Sequence, residues 1–333
     1  MTTTLTMSSL YAKISHLGLN QDYVRKNGLP SWWNDELNDQ PLAVLEGAGY
    51  IANNLNLDLK SLLIAEEEIR FNSPPPTKFK QHNNQNKDHP YIAQALASRV
   101  AELIALGTEV YFTPLPVNVH QIRREILTSH TTVNLISLLE YCWSQGIVIA
   151  HFHHFPDNTK KFAGLIQWQF SRPVIILSSK HKHCARLAFD LAHELGHLAL
   201  GHLKEGMLID ETIESDCYDD DECQADKFAT QLLLGNCDNC LGNRKFKDAE
   251  NFSAYVINNI IPQYPEIEAE ALILNYGWHN KKYFPLVSAA LNKLQLDSNI
   301  NSWQIINEYL ADRLDWDKFN DESYEYLEKV LGV

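Results

Sequence analysis

The sequence predicts an α+β protein, mostly helical, with a small antiparallel sheet packed on one long helix. Three observations carry that prediction. Residues 184–199 place apolar side chains at helical spacing (Leu187, Phe189, Leu191, Ala192, Leu195, Leu198, Ala199), with no proline to interrupt them. Between residues 147 and 178 the pattern changes to short apolar runs and alternation, the mark of strands. On both sides of that region the chain returns to amphipathic helical runs.

Taken in order, residues 1–72 read as a helical domain with turns at Gly18, at Gly28 to Pro30 and at Asn38 to Pro41. Residues 73–90 begin with Pro74, Pro75 and Pro76 and continue rich in Asn and Gln, the composition of a linker or an extended strap. A central unit, residues 91–240, opens on a helix with Ile92, Leu96, Val100, Leu103 and Ile104 on one face. An extended stretch over 109–117 and a helix including 134–140 follow. Gly146 introduces a strand over 147–152. A second strand, 163–170, alternates Ile166, Trp168 and Phe170 with Gln167 and Gln169, and Ser171, Arg172 and Pro173 turn the chain into a third, 174–178. The long helix comes next. A further helix starts near Asp219, where the run Asp219 to Asp221 suits a helix N-terminus and Gly235 suits its C-terminal cap. Residues 241–333 hold helices near 251–261, 266–276, 284–294, 302–314 and 321–331, with no catalytic constellation.

The long helix carries His193, Glu194, Leu195, Gly196 and His197. In a helix, two histidines four residues apart share a face and can hold one zinc ion between them. Glu194 beside them can take a proton from water at the metal, the role of a general base. Gly196 costs helix stability, and its missing side chain leaves room for metal, substrate or a packed strand. On the next helix Glu222 is the third ligand expected, completing two histidines and a glutamate and leaving one position open for water. Asp226 lies one turn further on the same face and can accept the free N–H of a ligand imidazole. Tyr218 is an oxyanion donor by position alone. The expected cofactor is one zinc ion per chain, with Mn²⁺ or another divalent ion as the alternative. The bland alternative, an amphipathic core helix, would bury two imidazoles and a carboxylate without purpose.

The run His193 to His197, followed by Glu222, Ala225, Asp226, Phe228 and Ala229, resembles the ImmA/IrrE family of zinc metallo-endopeptidases. The approach Arg172 to Ser178, then Leu187 to His193, resembles the strand and helix leading into that family's active site. The likeness covers about residues 92–234. It implies a zincin-like, zinc-dependent peptidase, commonly one that cuts a helix-turn-helix repressor in stress, mobile-element or defence regulation. The metzincin pattern does not fit, because its third histidine position is held by Leu203. Residues 45–63 resemble the closing helices of XRE-type helix-turn-helix domains, which often accompany such peptidases. The segment where a recognition helix would lie, residues 30–39, is acidic and has no Arg or Lys to meet phosphates or guanine edges. Across residues 1–72 there are five Lys/Arg against nine Asp/Glu, so this region is read as a degenerate DNA binder.

The net charge of −14 argues against direct nucleic-acid binding and favours a basic protein substrate, such as a DNA-binding repressor. The acidic stretch 204–221 is either a solvated loop or an electrostatic funnel for that substrate. The start of the chain lacks a basic and apolar leader, and no apolar run reaches membrane-spanning length, so a cytoplasmic protein without membrane contact is expected. Six cysteines (142, 184, 217, 223, 237, 240) form no secreted framework, and free thiols are expected. His151, His153, His154, His181 and His183 read as solvated or hydrogen-bonded histidines rather than ligands. Trp32 and Trp33 read as core aromatics. Substrate is expected to add as a strand along a sheet edge. Two rivals stand beside the peptidase. One is a transcriptional regulator or antitoxin-like binding protein with a non-catalytic zinc site; the other is a defence effector with the same chemistry on a different substrate.

Overall fold

The computed structural model describes residues 5–72, 76–80, 91–210, 219–294 and 301–333. Its centre is one sheet of five strands: β1 (Thr77–Lys80), β2 (Val148–His151), β3 (Gly164–Gln169), β4 (Arg172–Leu177) and β5 (Met207–Asp210). They lie in the order β1-β5-β3-β4-β2. The expected α+β class holds, but the sheet is mixed. β5, β3 and β4 are antiparallel, while β1 and β2 run parallel to their neighbours β5 and β4. The reason is connectivity: a two-residue hairpin obliges β3 and β4 to pair antiparallel, whereas β1, β2 and β5 enter through longer connections that leave either direction open. That hairpin is Phe170 and Ser171, both with positive φ (48° and 63°), the twist a two-residue turn demands. Arg172 and Pro173 therefore belong to β4 and not to the turn. Pro173 is tolerated because β2 pairs with β4 only from Val174 onward, so no neighbour on that side needs its N–H.

Side-chain alternation sorts the strands between two cores. Ile149, Ile166, Ile175, Leu177 and Leu208 face one layer of helices. Val148, Leu165, Val174, Ile176, Met207 and Ile209 face the other. The first layer holds α6 (Val119–Leu127), α7 (Leu135–Ser144), α8 (Cys184–Ala199), α9 (Asp220–Leu234), α10 (Ala249–Tyr255), α11 (Ala269–His279) and α12 (Phe284–Leu294). The second holds α1 (Met7–Ser15), α2 (Gln21–Gly28), α3 (Pro41–Asn54), α4 (Leu59–Leu63), α5 (Tyr91–Leu106) and α14 (Asp321–Leu331). α13 (Ser302–Ala311) spans both, with Ile306 in one core and Leu310 in the other. Because helices cover both faces, Gln167 is buried rather than solvated. Among the described residues, no helix is long and apolar enough to cross a membrane.

Two aromatic and thiol readings change. Trp33 packs over Gly47, whose missing Cβ would lie 2.6 Å from the indole, and its Nε1–H donates to Asn38. Trp32, in contrast, is 53% exposed, with its ring against those of Trp33 and Tyr50. Cys237 and Cys240 are bridged rather than free; a turn past the α9 cap at Gly235 brings their Cα atoms to 5.1 Å, within disulfide reach. Cys142 and Cys184 are free thiols.

Asn307 fixes the end of β2. Its side chain accepts from the His151 N–H (2.8 Å) and donates to the carbonyls of His151 (3.0 Å) and Leu331 (2.8 Å). The His151 ring is fully buried with Nε2 2.9 Å from the Ser179 carbonyl, which makes that nitrogen the donor. Burial pulls the His151 ring down to about 4, and the Ser179 carbonyl only partly opposes this. The unfolded chain therefore binds a proton near pH 6.5 that the folded chain refuses until about pH 4. This stability is complete above pH 6.5 and is lost as pH falls toward 4, roughly 3 kcal/mol in all. Urea denaturation of wild type and His151→Gln across that window checks it. The wild type should lose stability relative to the variant as pH falls; parallel curves would show that His151 is not held neutral.

Candidate metal centre

Two helices and one strand build the site. α8 is apolar on the face turned to the sheet, and its polar positions His193, Glu194 and His197 are nevertheless almost fully buried. They are buried because α9 lies directly over them. Gly196 makes the approach possible: a Cβ there would lie 3.1 Å from the Ala225 Cα and 3.2 Å from the Phe228 Cβ. The partner of that glycine is thus a helix backbone, and not the metal, substrate or strand expected from the sequence. Asp219 caps α9 by accepting from the Asp221 N–H at 2.8 Å, which sets the first turn so that Glu222 and Asp226 project side by side. Two pairs at four-residue spacing, one on each helix, then face each other.

The donors converge. His193 Nε2 and His197 Nε2 are 3.0 Å apart. Glu222 Oε2 is 3.3 Å from the first and its Oε1 3.5 Å from the second. Asp226 Oδ1 accepts from His193 Nδ1 at 2.9 Å, the outer partner expected of it. His197 has its own partner, which sequence reasoning left unassigned: His202 Nδ1 lies 2.9 Å from His197 Nδ1, and His202 Nε2 is 3.6 Å from Asp221 Oδ1. Tyr218 lies outside the described residues.

β5 brings in a residue the sequence did not single out. Asp210 is 1% exposed, and its Oδ2 lies 3.7 Å from His193 Nε2 and 3.5 Å from His197 Nε2. It stands in register with Gly164 of β3, on the sheet face turned to α8. Gly164 matters for a second reason. A Cβ at that position would lie 1.5 Å from Glu194 Oε1, so only glycine lets the Glu194 carboxylate lie against the strand. Neither Glu194 oxygen nor either Asp210 oxygen has a hydrogen-bond partner among the described residues.

The electrostatics are those of crowded like charges. Burial, then the neighbouring Asp210 carboxylate, push Glu194 well above the usual carboxylate range, and His193 opposes them. For Glu222 burial works against ionisation, but His193 and His197 outweigh it and hold the carboxyl well below its usual range. For His193 burial pulls down, while Asp210, Asp226 and Glu222 together raise the ring well above its ordinary value.

A divalent ion fits this set. With His193 Nδ1–H donated to Asp226 and His197 Nδ1–H donated to His202, both Nε2 atoms present lone pairs to each other. Two lone pairs at 3.0 Å repel unless a cation lies between them. Donors ~2.0–2.1 Å from a tetrahedral ion are about 3.4 Å from one another. The five donor separations given above run from 3.0 to 3.7 Å. His193, His197, Asp210 and Glu222 each offer one such atom, all within 4.8 Å of one another. Two nitrogens and two carboxylate oxygens suit zinc, with manganese a harder-ligand alternative.

The contact between Gly164 and Glu194 is open to direct test. Gly164→Ala should lose about 1–3 kcal/mol of stability through overpacking. Gly164→Ala combined with Glu194→Ala should recover most of that loss, giving a large coupling in a urea double-mutant cycle. Additive losses would mean that the two side chains do not meet.

The geometry can be set beside known proteins. Residues 182–264 match the model of the family described as Peptidase U49, a span that takes in all of α8 and α9 with His193, Glu194, His197, Glu222 and Asp226. No curated protein matches the chain. The match is to a peptidase family, and it supports a peptidase built around the α8 and α9 pair.

Proposed function

We propose that this chain is a zinc-dependent endopeptidase. The observation that carries the reading is Glu194, a carboxylate buried without a hydrogen-bond partner among the described residues, one position from an imidazole that faces a second imidazole and Glu222. His193, His197 and Glu222 would hold the ion. When bound, zinc would supply Lewis-acid polarisation of the scissile carbonyl and a lowered pKa for attacking water. The chain's own residues then do the rest. Glu194 takes the proton of the attacking water and returns it to the leaving amine. Asp226 and His202 hold the two imidazoles in the tautomers that turn Nε2 inward. α9 keeps bulk water from the inner face of the site, which strengthens each charge interaction there.

The substrate we propose is an intracellular protein with a basic surface, of the kind a helix-turn-helix repressor presents. The net charge of −14 supports that choice, as do Asp219 to Asp221 beside the site. A second reading has an observation of its own: Asp210 makes a fourth protein donor, and closed four-ligand sites are structural in many proteins. A regulator with a non-catalytic zinc site would have that arrangement.

Metal content and cleavage separate the two. Glu194→Gln should retain zinc at wild-type stoichiometry and lose about 10²- to 10⁴-fold in cleavage rate. His193→Ala and Glu222→Ala should lose the metal itself. Metal analysis of the purified proteins gives the first readout; new protein N-termini in cells expressing wild type against Glu194→Gln give the second and name the substrate. Equal sets of N-termini in the two cell populations would leave the regulator reading standing and remove the peptidase.

A further inference from the structure

We propose that Asp210 is a displaceable fourth ligand that keeps the centre closed, so that the protein rests in a latent state. This rests on the peptidase reading above and adds its regulation. The donor separations carry the first half of the claim. Asp210 Oδ2 completes a four-cornered set with His193, His197 and Glu222, and its distances to the two imidazole nitrogens, 3.7 and 3.5 Å, match those of Glu222, 3.3 and 3.5 Å. A catalytic zinc site keeps one position for water; a carboxylate in that position takes it away. The centre is also largely enclosed: His193, Glu194, His197 and Asp210 are each at most 1% exposed, and the Glu222 side chain alone reaches the surface, at 17%.

The second half, that Asp210 can leave, comes from what holds each ligand. His193 is clamped by Asp226 and His197 by His202. Asp210 has no such outer partner: among the described residues its carboxylate meets only the two imidazoles and Glu194, and of Glu222 it is Oε1 alone that is likewise buried without a hydrogen bond. Permanent ligands are as a rule oriented by an outer hydrogen bond, and this one is not. Its backbone is fixed, with the Ala163 N–H donating to the Asp210 carbonyl at 2.8 Å and β5 paired on both sides. Release therefore needs only rotation of the side chain about its own bonds, with the sheet intact. Meanwhile Glu194 lies already buried beside the centre, as a latent enzyme requires and a structural site does not.

Cobalt(II) in place of zinc reports coordination by its visible spectrum, and acetohydroxamate reports an open position. The full-length wild type should take up a single equivalent of Co²⁺ and show a spectrum unmoved by millimolar acetohydroxamate. Asp210→Ala, and Asp210→Asn as the variant of equal volume, should bind Co²⁺ about 10- to 100-fold more weakly. Their spectra should shift on adding acetohydroxamate, and their hydrolysis of fluorescein-labelled casein should exceed that of wild type. A wild-type spectrum that shifts like the variants', or variants with wild-type spectrum and affinity, would overturn Asp210 as the closing ligand. Open variants that cut casein no faster would overturn latency and make Asp210 a permanent structural ligand. A wild type that binds no divalent ion would remove the peptidase reading along with this one.

Discussion

Two imidazole nitrogens held 3.0 Å apart with their lone pairs facing are the constraint on which the rest of this structure depends. With both rings neutral, only a cation between them offsets that repulsion. The Asp210 and Glu222 carboxylates sit close enough to Glu194 to oppose its ionisation. Charges of one sign at such separations are costly in a medium of low polarity, and several kcal/mol per group is the usual scale for carboxylates taken out of water. A divalent cation reverses the sign of every one of these terms. On the metal-centre reading proposed above, metal binding would therefore be part of the folding energy.

The surrounding fold can be understood as the means of imposing that convergence. α8 alone would place two histidines on one face and leave them wet. Gly196 lets α9 descend until Ala225 touches the α8 backbone, and the same contact places Glu222 and Asp226 opposite the histidines. From the other side, Gly164 gives Glu194 room against the sheet, and its register partner Asp210 closes the circle. Two glycines, one in a helix and one at a strand end, therefore decide how closely three elements meet. Neither is needed for backbone conformation; both are needed because a Cβ would occupy space that another residue fills.

Much of this was legible in the sequence, and the reason is the short reach of helical periodicity. His193, Glu194 and His197 announce themselves at one-turn spacing, and Glu222 and Asp226 repeat that spacing on a helix whose start the aspartates mark. Asp210 was not legible. It ends a strand of four residues that lies inside an acidic stretch, so composition spoke for a loop. Its position beside His193 and His197 depends on pairing with Gly164, a relation between residues 46 apart that no local pattern reveals. His202 was hidden similarly, since its role follows from the turn after α8 that carries its ring back onto His197. The sheet's mixed character was missed because strand direction depends on how β1 and β2 enter, not on their residues. Pro173 and the positive φ of Phe170 and Ser171 misled the hairpin boundary for a related reason: a proline reads as a turn unless the neighbouring strand stops short of it.

The choice between a structural and a catalytic centre turns on Glu194 rather than on the ligands. Four protein donors would serve a structural zinc fully, and nothing about such a site asks for another carboxylate. Yet Glu194 is fully buried, has no hydrogen-bond partner among the described residues, and requires a glycine on the facing strand to be there at all. Leaving a buried polar group unsatisfied costs about 1–3 kcal/mol, more for a charged one. Leucine or methionine at that position would pack the same space without this cost. A local rule broken at such expense, beside a metal-binding set, points to chemistry, because proteins break such rules chiefly where they act. Asp210 is then best understood from Glu194: the base is in place, and the ligand that closes the centre is one whose carboxylate no outer hydrogen bond orients.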